Sequence, residues 1–157
     1  MSVYLLDVNV LVALVRSEHV SHEIVQSWFG RHSRQGWATC PFTESGMVRI
    51  ISNPAFSSTA LSPQQALKLL LENLSHRHHE FWPDTLGFDH AIAPFRDRVV
   101  RHGQITDAYL LGMAIHKGGT LVTLDRGIAD LLSQHHRGRP PLETIHEANN
   151  PSDMLPD

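Results

Sequence analysis

Residues 3–15 read VYLLDVNVLVALV, and the fold turns on how that run divides. Tyr4, Leu5 and Leu6 form a short apolar strand, and the apolar run from Val10 to Val15 starts a helix. Asp7 and Asn9 lie between the two. Asn9 is well placed to cap the helix, as a short polar side chain that accepts a backbone N–H. Asp7 is harder to explain. A carboxylate flanked by Leu6 and Val8 loses water and needs a partner.

Outward from this run, strand and helix patterns alternate. Ile24, Val25, Trp28 and Phe29 recur at helical spacing, which predicts a helix from 21 to about 31. GWATCPF (residues 36–42) is a strand ended by Pro41. TESGMVRIIS (43–52) is a helix that stops before Asn53-Pro54, because the residue before proline is pushed out of the α region. Ser62-Pro63 is a capping residue followed by proline at the first helical position, and it starts the helix QQALKLLLENL (64–74). HEFWP (79–83) reads as a strand, and residues 84–101 are assigned no element. TDAYLLGMAIHKGG (106–119) is a helix ended by paired glycines. TLVTLD (120–125) is a strand and GIADLLSQ (127–134) a short helix. Residues 142–145 add an edge strand, and the Pro- and Asn-rich tail after about residue 146 is less ordered. Alternation of this kind calls for an α/β fold, a central, mainly parallel sheet flanked by helices on both faces.

With 157 residues, 41% of them hydrophobic, the chain suits one globular domain over residues 1–157. No apolar run approaches the ~18 residues of a membrane span, and the N-terminus shows no basic leader with a cleavage site. No membrane association is expected. Cys40 is the only cysteine, which excludes an intrachain disulfide and fits a reducing, cytoplasmic setting. The formal charge of −3 argues against a domain held on nucleic acid by basicity alone.

In open parallel sheets, ligands bind beyond the carboxyl ends of the strands, at the switch point of the winding. Four acids map to that edge. Asp7 follows the first strand, Glu44 lies in the first turn of the helix after WATC, and Asp125 follows TLVTL. Asp107 opens the helix that enters this last strand, so it lies at the same edge. Singly, Glu44 and Asp107 suit the positive end of a helix, and Asp125 suits a turn. Jointly, four carboxylates would repel one another toward protonation unless a cation sat among them. Oxygen-only ligands suit Mg²⁺ or Mn²⁺. Cancelling these four charges would leave a slightly positive chain, so the negative total does not forbid RNA.

LLDVNVLVAL (5–14), PFTESGMVRIISNP (41–54) and ITDAYLLGMAIHKGGTLVTLDRG (105–127) resemble the successive motifs of PIN domains, most closely those of VapC-type toxins of bacterial toxin–antitoxin pairs. The resemblance runs from Val3 to about Leu132. It implies a three-layer α/β sandwich and a metal-dependent endoribonuclease. Asp7 and Asp107 match direct metal ligands, and Asp125 and Glu44 match ligands that bind directly or through water. Asn9, Thr106 and Thr123 match supporting polar positions. A VapB-like antitoxin, an RNA substrate and a homodimer are the implied partners. One departure stands out. Many relatives carry a further acid shortly after the last Asp, where this chain has Arg126 and Gly127. Asp130, a helical turn later, reads as a surface acid, and the number of metals stays open.

Other features have plainer readings. The run SHRHHE (75–80) lacks zinc-ligand spacing and reads as a solvated loop. Cys40 reads as a small buried residue. Trp28, Phe29 and Trp37 read as core or subunit-contact residues. Arg49 and Arg126, the basic residues nearest the acids in sequence, either hold phosphate or are simply exposed. Two competing functions remain at this stage. One is a phosphorylated receiver-type signalling domain, which would need a strand-end Lys where this chain has Asp125-Arg126. The other is a non-catalytic PIN-like RNA- or protein-binding module, which four retained acids disfavour.

Overall fold

A computed structural model describes residues 2–132 and 138–147. Strand β1 (Tyr4–Leu6) pairs in parallel with β2 (Trp37–Thr39) on one side and β4 (Thr120–Thr123) on the other. Strand β3 (His79–Phe81) extends the sheet beyond β2, and β5 (Leu142–Thr144) extends it beyond β4. The order is β3-β2-β1-β4-β5, and all four pairings are parallel. The winding reverses between β1 and β4. Both strand-end acids of the sequence, Asp7 and Asp125, follow those two strands.

Side chains alternate across the sheet because strand periodicity is two. Tyr4, Leu6, Trp37 and Val122 face one apolar cluster, shared with α1 (Val8–Val15), α2 (His22–His32), α3 (Pro41–Ile51) and α4 (Pro63–Leu74). Leu5, Ala38 and Leu121 face the second cluster, shared with α5 (Phe88–Ile92) and α6 (Gln104–His116). The result is the three-layer sandwich that the resemblance implies. Cys40 is fully buried in the second cluster, and burial raises its thiol pKa. Trp28 and Trp37 are core residues with their indole N–H groups satisfied by Glu143 and His76.

The structure departs from the sequence reading in four places. The cap of α1 is Asp7, not Asn9: the helix starts at Val8, whose N–H Asp7 accepts, and Asn9 turns across to β4. Residues 84–101 hold α5 and a 3-10 turn, Ala93–Arg98, whose Ala91 and Phe95 are buried against α6. The short helix at 127–134 is a 3-10 turn, Arg126–Leu131, with positions 133 and 134 outside the described residues. The run at 75–80 is not a free loop. His79 opens β3, and the rings of His76 and His79 pack on Trp37 at 5.8 and 4.6 Å. From residue 148 on, the expected tail lies outside the described residues. Among those residues, no helix is long and apolar enough to cross a membrane.

Gly112 sets the contact between α5 and α6. A Cβ there would lie 2.0 Å from the Ala91 carbonyl oxygen, a backbone atom that cannot rotate away. Gly112→Ala should therefore destabilise the fold by about 2 kcal/mol or more despite the helix preference of alanine, lowering Tm by ~5 °C or more. Gly30, inside α2 with nothing near its missing Cβ, is the opposite case. Gly30→Ala should raise stability by roughly 0.5–1 kcal/mol. Thermal melts of the two variants against wild type check the pair.

Candidate active site

Asp7 is 6% exposed, and its partners answer the question its sequence context raises. Oδ1 accepts the Val8 N–H at 2.7 Å, and Oδ2 accepts the Thr123 hydroxyl at 2.7 Å. Thr123 is fully buried at the end of β4. Its oxygen in turn accepts from Asn9 Nδ2 at 3.1 Å and from the Asp125 N–H at 3.0 Å. Asn9 Oδ1 accepts the Leu124 N–H at 3.1 Å. A closed polar network thus ties the end of β1 to the end of β4 at the switch point.

Asp107 lies in the first turn of α6, half-buried, and its carboxylate receives no hydrogen bond from the described residues. Burial pushes its pKa up to about 6, and the charges of Asp7 and Asp125 add to the rise. The pKa of Asp7 is also raised, chiefly by burial, against the opposing hydrogen bonds from Thr123 and Val8, with a further contribution from Asp125. Asp125 itself is exposed and caps the turn after β4, accepting the Gly127 N–H at 2.7 Å. These three carboxylates act on one another, as the sheet topology predicts. Thr106 is exposed beside Asp107 and lines the same groove.

Glu44 has a different seat. Its Oε1 accepts the Thr39 hydroxyl at 2.6 Å, and His79 Nε2 lies 2.8 Å from the same hydroxyl oxygen. The one hydroxyl hydrogen goes to the carboxylate, so the imidazole is the donor to Thr39. Glu44 acts electrostatically on His79 and Cys40, whereas the pKa values of Asp7 and Asp107 respond to each other or to Asp125. The structure therefore gathers Asp7, Asp107 and Asp125 and holds Glu44 on the hydroxyl of β2. Sequence reasoning did not single out Thr39 or His79. A hydroxyl at a strand end, five residues before a site acid, was the available signal. Arg126 and Asp130 are exposed on the 3-10 turn after Asp125.

The donors at the three-acid cluster are hard oxygens, the set that suits a hard divalent cation. Among the described residues, no group of three or more His, Cys, Asp or Glu side chains is placed to hold a metal ion. A cation held here would keep part of its water shell, which Mg²⁺-like ions do readily. The free oxygens of Asp107 and the mutual repulsion of the cluster both fit such an ion.

An open parallel sheet with interacting carboxylates at its switch point defines an α/β domain built around an acidic site. Residues 4–131 match the PIN domain family. Ribonuclease VapC39 of Mycobacterium tuberculosis is 43% identical over 129 residues, covering 82% of this chain and 93% of the relative. Ribonuclease VapC44 of the same organism is 42% identical over 125 residues, covering 80% and 87%. A crystal structure of VapBC2 from Rickettsia felis, bound to a DNA fragment from their promoter, aligns with a TM-score of 0.62 at 14% identity. The alignment covers 92% of this chain and 99% of that chain, and it speaks to the fold alone. The chain belongs to the PIN-domain family, in its VapC branch.

The raised pKa of Asp107 has a consequence for stability. A carboxyl group whose pKa is higher in the folded state contributes stability below its unfolded pKa and loses it as pH rises through the folded value. Without metal, Asp107→Asn should melt above wild type at about pH 7.5, and the gap should narrow as pH falls through about 6 and close only toward about pH 4. His76 and His79, whose pKa values burial lowers, give the opposite slope in both proteins and cancel in the comparison. Melts in EDTA across that range check the sign. A gap independent of pH would mean that Asp107 is not the group titrating.

Proposed function

We propose that the protein is a metal-dependent endoribonuclease, the toxin of a type II toxin–antitoxin pair, working in the cytoplasm as a homodimer with Mg²⁺, or Mn²⁺ in its place. The observation that carries this reading is the buried Asp7 carboxylate, coupled to Asp107 and Asp125 at the β1/β4 switch point. The ribonuclease names of relatives above 40% identity support the reaction class.

When bound, a divalent cation supplies Lewis acidity toward a phosphoryl oxygen and lowers the pKa of a water. The chain's own residues do the rest. Thr123 and the Val8 N–H fix the direction of Asp7, and Asn9 fixes Thr123. Asp107 offers two carboxylate oxygens that no described residue engages. Asp125 keeps one oxygen on the Gly127 N–H, and its exposed second oxygen is suited to take the proton of the attacking water. Glu44 acts through water from its seat on Thr39. Water as nucleophile leaves the 2′-hydroxyl idle in the chemistry, so RNA preference must come from shape and exposed bases.

The direct test is incubation of purified protein with labelled total RNA in Mg²⁺, Mn²⁺ or EDTA. Cleavage should need the metal. Asp7→Asn and Asp107→Asn should each lower it by more than ~100-fold, beyond the cost typical of residues that only orient a ligand, with the fold retained. Asp130→Asn should keep most activity. Metal should also raise the wild-type Tm, since it binds the folded site and not the unfolded chain, and this increase should vanish in Asp7→Asn. RNA binding without cleavage under all three conditions would favour the non-catalytic alternative.

Control by an antitoxin is part of the same proposal, supported by the VapBC2 complex as a fold relative. An acidic pocket that accepts a metal also attracts a guanidinium, which pairs with two carboxylates at once. The C-terminal segment of a VapB-like partner should place an Arg or Lys among the acids, folding as it binds. Replacing that residue by Ala should weaken inhibition, and raised Mg²⁺ should compete with the intact segment. Inhibition insensitive to both would place the block on a surface away from the acids.

A further inference from the structure

A groove of about 990 Å³ starts at Asp7 and Asp107 and runs along the outer face of α3. Its wall is built from Phe42, Ser45, Arg49, Asn53, Pro54 and Phe56. The first three recur at helical spacing, so they share one face, with Arg49 about 10 Å along the axis from Phe42. Gly46 lets α1 and α3 approach closely enough to form the floor, since a Cβ there would lie 2.6 Å from Val8 Cγ2.

Three features give this groove a ligand chemistry. Arg49 is exposed and makes no ion pair or side-chain hydrogen bond among the described residues, and the only acids lining the groove are the two at its catalytic end. An unpaired guanidinium in that setting selects an anion. Phe42 and Phe56 are 41% and 69% exposed, large costs in water for residues that bury readily elsewhere. Neither ring hangs on a loose segment. Phe42 rests on Tyr109 at 4.7 Å, and Phe56 follows a turn closed by Asn53, whose Oδ1 accepts the Ala55 N–H at 2.9 Å and whose carbonyl accepts the Phe56 N–H at 3.0 Å. Exposed rings beside an unpaired cation are the elements that bind unpaired nucleotides, through stacking and phosphate contact.

We propose that this groove is the track for single-stranded RNA flanking the cleaved bond, with Arg49 on a backbone phosphate and the rings of Phe42 and Phe56 against bases. The assignment rests on the ribonuclease reading for its substrate class. It adds that sequence preference is set along α3, because Phe42, Arg49 and Phe56 meet nucleotides that the carboxylates do not touch. A duplex cannot offer its bases to these rings, so paired RNA binds more weakly.

The test separates binding from cleavage. Fluorescence anisotropy in EDTA reads the affinity for an unstructured RNA oligonucleotide, and cleavage kinetics in Mg²⁺ read kcat and KM. Arg49→Ala should raise Kd and KM and flatten the slope of log K against log salt by about 0.7 for the one phosphate lost. Arg49→Lys should restore the slope. Phe56→Ala should weaken binding roughly 5- to 100-fold without altering the slope, and Phe56→Trp should preserve it. Both sites of change are exposed, and melts check that the four variants fold. Should wild type cleave RNA in an Asp7-dependent way while Arg49→Ala and Phe56→Ala keep its affinity, KM and salt slope, the track is overturned and the ribonuclease reading stands. The same holds if those variants lose only inhibition by a VapB-like antitoxin, which would make the groove a protein-docking face. Arg49-dependent binding of RNA by a wild-type protein that never cleaves it supports the track and overturns the ribonuclease reading.

Discussion

The hydrogen bond from Thr123 to Asp7 joins the ends of two adjacent central strands, and the geometry of the acidic site depends on it. Asp7 is nearly buried, and Thr123 and the Val8 N–H supply two short donors in place of water, although burial still raises its pKa. Those donors also do structural work. Val8 begins α1 and Thr123 ends β4, so satisfying the carboxylate fixes where the helix starts and how β1 meets β4. Asn9 closes the loop by holding both Thr123 and the Leu124 N–H. A polar network of this kind is costly when incomplete and specific when satisfied. Here each member finds its partners.

Hydrogen bonding does not cancel the repulsion among Asp7, Asp107 and Asp125. Asp107, with no donor of its own among the described residues, is driven up to about 6, and burial raises Asp7 as well. At pH 7 a group with that value is mostly ionised, so in a metal-free site the repulsion persists. A divalent cation would relieve the same repulsion, and below about pH 6 its binding at Asp107 would release a proton. Local strain of charge, rather than a pre-formed cage, is what the proposed cation would relieve.

The sequence made the architecture legible because its signals are local and agree with one another. Ser62-Pro63 forms the capping box that starts α4, and the paired glycines after His116 lie just beyond the end of α6. The edge of the sheet to which the acids belong followed from topology alone. Residues 84–101 were not legible, because a five-residue helix and a 3-10 turn are too short to display a period, and Ala91 and Phe95 are buried by packing on α6. The cap falls to Asp7 rather than Asn9 because two polar residues, two positions apart, compete for one role and the carboxylate takes it. The seat of Glu44 depends on Thr39 and on His79, 40 positions apart in the chain and joined only by the pairing of β2 with β3. No local pattern encodes such a contact.

Helix α3 connects these separate features. On its inner side Glu44 rests on Thr39, and Thr43 anchors the start of the helix by accepting the Cys40 N–H at 3.0 Å. On its outer side it carries Phe42 and Arg49 along the groove. Between them, Gly46 meets Val8, the residue whose N–H holds Asp7 Oδ1. Any displacement of α3 that presses on Val8 is therefore felt at the carboxylate within one residue. Protein interiors transmit such shifts because they are close-packed. The lack of a single Cβ at Gly46 thus sets both the depth of the groove and the freedom of the Val8–Asp7 hydrogen bond to keep its geometry. One helix contact borders both the groove and the acidic site.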